Sequence, residues 1–170
     1  MEHVSLRQWR ESDLAPYASM NADPEVMRYF PAPLSREQTA ASLARQRALI
    51  EERGWGLWAL DVNGAFAGFV GLAVPNFQAP FMPCVEAGWR LRHEYWGRGI
   101  AYRGALQTLD YGFQVLKLRE IVSFTAAVNV RSRRLMERLG FEHDAASDFD
   151  HPSISAGHEL RPHVLYRKRV

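Results

Sequence analysis

The stretch EAGWRLRHEYWGRGIA, Glu86 to Ala101, decides how the rest of the chain is read. It reads as a strand, a short aromatic loop, two glycines and the first turn of a helix. The helix continues through AYRGALQTLDYGFQVL, where Ala101, Ala105, Leu109, Phe113 and Leu116 recur at helical spacing. Gly97 and Gly99 stand just before or at its start, where glycine permits a sharp turn and a close approach of ligand to backbone. A helix N-terminus adds unpaired N–H groups and partial positive charge. Together they make a seat for an anion, most often a phosphate. Arg98 and Arg103 place positive charge beside it. The same glycines also fit a plain strand-to-helix connection. A Rossmann fingerprint would need a third glycine where Tyr102 stands, and Glu120 alone supplies its acidic residue about twenty positions on. A P-loop would need Gly-Lys, which the chain lacks.

The run Tyr95-Trp96-Gly97-Arg98-Gly99-Ile100-Ala101 resembles the acetyl-coenzyme A pyrophosphate loop of the GNAT superfamily of N-acetyltransferases, Gln/Arg-x-x-Gly-x-Gly/Ala. Gly99 and Ala101 match its last two fixed positions, and Trp96 replaces the usual Gln or Arg. That replacement is like the branch containing the ribosomal-protein-alanine N-acetyltransferases. A second run, Asn129-x-x-Ser132-x-x-Leu135-x-Glu137-x-x-Gly140-Phe141, resembles the superfamily at the expected distance. The likeness extends more loosely over nearly the whole chain.

Its 170 residues suit one domain, 1–170, with a substantial core. An apolar fraction of 47% and a charged fraction of 24% are those of a soluble globular protein. A net charge of +2 implies no polyanion, so no nucleic-acid partner is expected. Of 21 basic residues only Lys117 and Lys168 are lysines. Cys84 is the only cysteine, so no internal disulfide can form. The N-terminal residues show no signal core and no apolar run is long enough to span a membrane. A cytoplasmic location and no membrane partner are the expectation.

In chain order, Val4 to Arg10 reads as a strand, and Ser12 and Asp13 as caps of a helix carrying Leu14, Tyr17, Ala18 and Met20. Asp23-Pro24 suggests a short helix, EVMRYF, broken by Pro31 and Pro33. Ser35 and Gln38 form a capping box for a helix that runs to about Arg53 and ends at Gly54. Strands Trp55–Val62 and Ala65–Val74 flank Asn63-Gly64, a strong hairpin signal. PNFQAPFMP reads as a connection, or as the wall of a site. Val85–Leu91, Arg119–Thr125 and His163–Arg169 are further strands, and Asn129 caps a helix ended by Gly140. The order gives a mixed α/β fold around one central sheet. The resemblance implies a mostly antiparallel, splayed sheet flanked by helices, with the pantetheine arm entering between the strands on either side of the glycine loop and its helix.

Acetyl transfer needs a held thioester, a neutral amine, a stabilised oxyanion and a protonated leaving thiolate. The resemblance assigns the pyrophosphate to backbone N–H groups of Arg98, Gly99, Ile100, Ala101, Tyr102 and Arg103. It assigns the pantetheine and acetyl oxygen to backbone near Leu91 and His93. It gives Asn129 a coenzyme contact and places Ser132 at the coenzyme sulfur. On a helix, Ser132 shares a face with Leu135, Met136 and Leu139, although its hydroxyl could instead bond back to its own helix. Arg131, Arg133, Arg134 and Arg138 read as a solvated face; the alternative is that one of them meets the coenzyme's 3′-phosphate. Glu86 stands where related enzymes carry a glutamate base or a water-holding group; the alternative is a pair with an arginine at the sheet edge. His151, His158 and His163, with Asp148 and Asp150, match no compact ligand spacing, so no metal is expected and the tail reads as a substrate-side loop packed on the sheet. Cys84 reads as a small strand residue.

The expected activity is an acetyl-CoA-dependent N-acetyltransferase acting by direct transfer in a ternary complex. Its acceptor would be a primary amine, on a small molecule or a protein N-terminus, and the enzyme a monomer or homodimer. A non-catalytic coenzyme-A-binding sensor or interaction domain on the same fold is the alternative. An arginine-based RNA- or ribosome-binding protein is a third, disfavoured by the near-neutral charge.

Overall fold

The Asn63-Gly64 turn forms as its residue types require. In this computed structural model, which describes residues 2–170, Asn63 has φ 52° and Gly64 φ 85°. Positive φ at both central positions matches the twist of a two-residue hairpin. The turn joins β2 (Leu57–Val62) to β3 (Ala65–Ala73). β1 (Val4–Arg7) adds outside β2, and β4 (Glu86–Leu91) outside β3, all antiparallel. A parallel neighbour for β4 needs a crossover. α3 (Ile100–Asp110) supplies it and leads to β5 (Glu120–Ala126).

β8 (Pro162–Arg169) pairs antiparallel with β5 along its whole length. Two strands of two residues each, β6 (Glu142–His143) and β7 (Phe149–Asp150), then pair with β8. The sheet order is β1-β2-β3-β4-β5-β8-β6, with β4–β5 its parallel pair. The fold is therefore mixed α/β with a mostly antiparallel sheet, as expected. β6 and β7 carry no strand signal in the sequence because two residues cannot display an alternation.

Helices cover both faces. On one, α1 (Leu14–Ala22) and α2 (Arg36–Arg53) pack through Tyr17, Met20, Leu43 and Ile50 onto Ala59, Phe66 and Phe69, around the buried Trp9. On the other, α3 and α4 (Val130–Arg138) pack through Ile100, Ala105, Leu109 and Met136 onto Leu60, Val70, Leu72 and Ile121. Gly104 sets the closeness of α3: a Cβ there would lie 2.9 Å from Leu60 Cδ1. α2 has the expected capping box, with Ser35 Oγ accepting from Gln38 N–H at 3.1 Å and Gln38 Oε1 accepting from Ser35 N–H at 2.8 Å. It ends on a left-handed Gly54.

Two local expectations fail. Residues 24–29 form turns instead of a helix: six residues before Pro31 are too few to offset helix nucleation. Val26 and Met27 are nevertheless buried, and Leu34 N–H returns to Asn21 O at 2.9 Å. The helix after the glycine loop is α only to Asp110. Tyr111–Val115 form a wider π-turn, closed by Leu116 N–H on Tyr111 O at 3.1 Å.

One buried ion network fastens the first half. Arg7 Nε and Nη2 donate to both oxygens of Asp61 at 2.7 and 2.8 Å, and Nη1 and Nη2 to those of Asp13 at 2.8 Å. The hydrogen bonds that Arg7 donates to Asp13 are the largest cause raising its pKa above the ordinary value. Arg7→Met would strand two carboxylates whose side chains are 3% and 7% exposed. A loss of about 2 kcal/mol in urea unfolding, with unchanged m value, is expected. Among the described residues no helix is long and apolar enough to cross a membrane.

Candidate active site

The ladder between β4 and β5 stops almost where it starts. Arg92 N–H donates to Ala67 O at 2.9 Å on the β3 side. Bonded and non-bonded pairs alternate along an antiparallel ladder. The N–H and C=O groups of Ala87, Trp89 and Leu91 consequently turn away from β3, toward β5. Pairing with β5 is limited to Glu86 opposite Val122, with Val122 N–H on Val85 O at 2.9 Å. The carbonyl of Ala87 then takes the Ser123 hydroxyl at 2.9 Å instead of a backbone N–H. The carbonyl of Leu91 takes the Trp96 indole at 2.9 Å. The N–H of Leu91 and both backbone groups of Trp89 are left facing a widening gap.

The glycine loop closes the end of this gap. Gly97 and Gly99 have φ 71° and 69°, and Gly99 is the N-cap of α3 with no side-chain cap. The first backbone bond of the helix is Arg103 N–H on Gly99 O at 3.1 Å. Ile100, Ala101 and Tyr102 thus carry N–H groups without helical partners at an exposed end. Arg98 and Arg103 are not free cations. Arg98 bonds Glu94 O at 3.0 Å and the Glu2 carboxylate, and Arg103 donates to Glu2 O at 2.7 Å. A Cβ on Gly99 would meet nothing within 4 Å, although its φ strains any L side chain. Gly99→Val should therefore keep a cooperative unfolding transition. Calorimetry should show coenzyme affinity at least about tenfold weaker, roughly 1.4 kcal/mol.

α4 begins beside the gap. Asn129 Oδ1 accepts from Ser132 N–H at 3.2 Å, and Asn129 Nδ2 donates to Thr125 Oγ1 at 3.0 Å, tying the helix start to β5. The partly exposed Ser132 contributes only its N–H to these hydrogen bonds; its hydroxyl does not bond back to the helix. Arg131, Arg134 and Arg138 of α4 are exposed, as expected of a solvated face, and Arg133 is half-buried. Arg133 donates to Ala127 O at 3.0 Å and to Tyr166 OH at 3.3 Å. Arg131 stacks 4.2 Å over Trp96 and Arg138 5.0 Å over Tyr102, joining α4 to the glycine loop and α3.

Glu86, Gly88 and Arg90 point to the other face of β4, toward α1 and α2. Glu86 makes no hydrogen bond or ion pair with the described residues, so the alternative of an arginine partner does not hold. Loss of water around it pushes its pKa up to about 8. The Arg90 guanidinium lies 4.2 Å over the Phe30 ring and 5.2 Å over Phe69. Beyond β5 this face continues as an aromatic patch. Phe77 and Phe81, from the loop before β4, pack on Phe124 and Phe149, with the His151 ring 4.8 Å from Phe77 and 4.9 Å from His163. The proline-rich loop is thus a wall on this face rather than a bare connection.

Burial lowers the pKa of both His151 and His163, keeping them neutral at pH 7. No group of three or more His, Cys, Asp or Glu side chains suited to a metal occurs among the described residues. Ile154 and Leu160 pack the C-terminal loop onto Ala126 and Tyr29. Cys84 lies 3.4 Å from the Met82 sulfur. Burial, and then Glu86, push its thiol up to about 11, which leaves it un-ionised and poorly nucleophilic.

A family profile described as Acetyltransferase (GNAT) domain matches residues 3–142. The chain belongs to the GNAT acetyltransferase family. The profile covers the superfamily and does not distinguish the ribosomal-protein-alanine branch. FsC-acetyl coenzyme A-N(2)-transacetylase of Aspergillus fumigatus is 30% identical over 73% of this chain, a match that spans 56% of that relative's length. Spermidine N(1)-acetyltransferase of Escherichia coli is 28% identical over 81% of this chain and 72% of its own. The fold is similar to that of yncA from Salmonella typhimurium, solved with its cofactor acetyl-CoA, with a TM-score of 0.73 at 16% identity, covering 98% and 94% of the two chains.

Within this GNAT chain the residues singled out from sequence divide between the two faces. The loop from Arg98 to Arg103, Asn129 and Ser132 lie on the α3–α4 side; the Leu91 N–H faces the gap; Glu86 lies on the α1–α2 side. His93 is exposed, its ring edge-on to Trp96 at 4.7 Å. Its backbone N–H lies beyond the last residue of β4, which leaves the Leu91 N–H as the better-placed donor. Arg90, Ser123 and the Phe77–Phe124–Phe149 patch went unread. Arg90 had one signal: it is four residues from Glu86, so period-two alternation puts both on one face.

Proposed function

We propose that this GNAT chain is an acetyl-CoA-dependent N-acetyltransferase, working as a single domain, that moves acetyl to a primary amine by direct transfer in a ternary complex. The observation that carries it is the interrupted β4–β5 ladder. It opens a gap with unclaimed backbone donors between an anion seat and a carboxyl group of raised pKa. The residues fit the coenzyme: unpaired N–H groups of Ile100, Ala101 and Tyr102 suit the pyrophosphate, and the Trp89 and Leu91 backbone suits an amide-bearing arm. When bound, acetyl-CoA supplies the activated acetyl group as a thioester.

Glu86, once ionised, takes a proton from the acceptor ammonium and frees the nitrogen lone pair to attack the acetyl carbon. The Leu91 N–H donates toward the acetyl oxygen as charge grows there. The Ser132 hydroxyl donates a hydrogen bond to the sulfur as thiolate character develops, and the proton shed by the attacking nitrogen goes to the departing thiolate as the carbon–sulfur bond breaks. Holding both reactants at the gap supplies a large share of the rate. The named activities of the A. fumigatus and E. coli relatives support amine acceptors. Thiol release from acetyl-CoA with an amine panel, followed by product mass, tests this. Coenzyme binding without release for any amine would leave a coenzyme-binding domain in its place.

A further inference from the structure

Arg90 is held as a cation with no carboxylate partner among the described residues. Its Nη1 donates to Asn21 Oδ1 at 2.8 Å. Asn21 is fully buried and itself donates through Nδ2 to the buried Thr39 Oγ1 at 3.2 Å, so this anchor is rigid. Phe30 and Phe69 flank the guanidinium at 4.2 and 5.2 Å. No carboxylate among the described residues forms an ion pair with it. Arg90 Nε is the one buried side-chain nitrogen or oxygen among them without a hydrogen-bond partner. Burial lowers the pKa of this group, as expected for a charge lifted out of water.

An unpaired charge that is half-buried, with its Nε wholly out of water, is costly, and arginine does not shed its proton to relieve that cost. A clamp on Asn21 and Phe30 alone would need no charge; an amide would serve. The remaining guanidinium N–H groups make a fork suited to a planar anion. The place of that anion is indicated by β4. Gly88, between Glu86 and Arg90 on the same face, carries no side chain, and Leu57 Cδ2 lies 3.7 Å from where its Cβ would be. Glu86 Oε1 is 3.9 Å from where a Gly88 Cβ would be, so the carboxyl group leans along the strand. Phe30, 41% exposed, borders the opening from the α1–α2 connection.

We propose that Arg90 receives a carboxylate of the acceptor, which makes the acceptor an amino acid or a small amino-acid-like compound. The inference rests on the acetyltransferase reading. It puts the amine of the acceptor at the Glu86 end of β4 and its carboxylate at the Arg90 end. A polycationic acceptor meets a fixed like charge there and is disfavoured.

The test sets amino acids against the amines obtained by removing their carboxyl groups, with acetyl-CoA and the wild-type chain, reading thiol release and product mass. At least tenfold higher kcat/KM for a carboxylate-bearing amine is expected. Arg90→Gln should cut that preference to within about twofold, mainly through KM, while coenzyme affinity by calorimetry stays unchanged. Arg90→Lys, which keeps charge without the fork, should retain part of it. Equal or better use of the decarboxylated amines by the wild-type chain overturns the proposal even if neither variant folds, and leaves the acetyltransferase reading intact. Absent turnover with both sets counts against that reading instead. Titrating N-acetyl amino acids and their carboxamides into the protein then reads Arg90 alone: tenfold tighter binding of the carboxylates is expected, and equal or no binding overturns it.

Discussion

Glu86→Gln should lower kcat by roughly 10²-fold or more, the range for removing one acid–base group, with acetyl-CoA affinity within a few-fold of the parent. The pH profile separates this from a structural effect. With a pKa of about 8, Glu86 carries its proton at neutral pH. It acts as a base only after losing it, so kcat/KM of the parent should rise along a limb centred near pH 8. In the glutamine variant that limb should vanish, leaving only the limb of the acceptor amine itself. Stability should move the other way. A folded-state pKa above the unfolded value favours the folded chain most at pH below the ordinary glutamate range. That contribution is lost as pH rises through about 8. The variant, without a charge to bury, should be at least as stable as the parent above pH 8 in thermal unfolding. A variant that loses stability and rate together would make Glu86 a structural residue.

Ser132→Ala is the second large effect and the sharper discriminator between enzyme and binding domain. A neutral thioester sulfur is a poor acceptor, so a hydroxyl bond to it strengthens as thiolate character develops. Such an interaction lowers the barrier without tightening the ground state. The variant should bind acetyl-CoA within a few-fold of the parent and lose about 10²-fold in kcat. Its helix should persist: the Asn129 cap uses the Ser132 N–H, which alanine keeps, and alanine is the better helix former. A kcat within twofold of the parent, with chemistry limiting, would falsify the role.

Much of the scaffold was legible because its signals are local. The capping box of Ser35 and Gln38, the Asn63-Gly64 turn, the cap at Asn129 and the left-handed Gly99 each follow from a few adjacent residues. What escaped depends on partners far along the chain. The gap exists because the β4–β5 register ends after Val122, and no property of either strand alone announces that. The charges of Arg98 and Arg103 look free until Glu2 is placed beside them. Arg90 reads as one more strand residue until Asn21, Phe30 and Phe69 converge on it. The resemblance to the family supplied roles for Ser132 and Leu91 that physical chemistry alone left open.

The gap through the sheet also divides the molecule's capacity to change. Residues that would grip the coenzyme lie on the α3–α4 side and act largely through backbone amides. Side chains that the proposed reading turns toward the acceptor, Phe30 and Arg90 with the aromatic neighbours Phe77 and Phe149, lie on the α1–α2 face of the sheet. Redesign of acceptor choice can therefore proceed on one face while the other is left untouched. A library confined to those four positions should yield altered acceptor profiles at nearly constant coenzyme affinity.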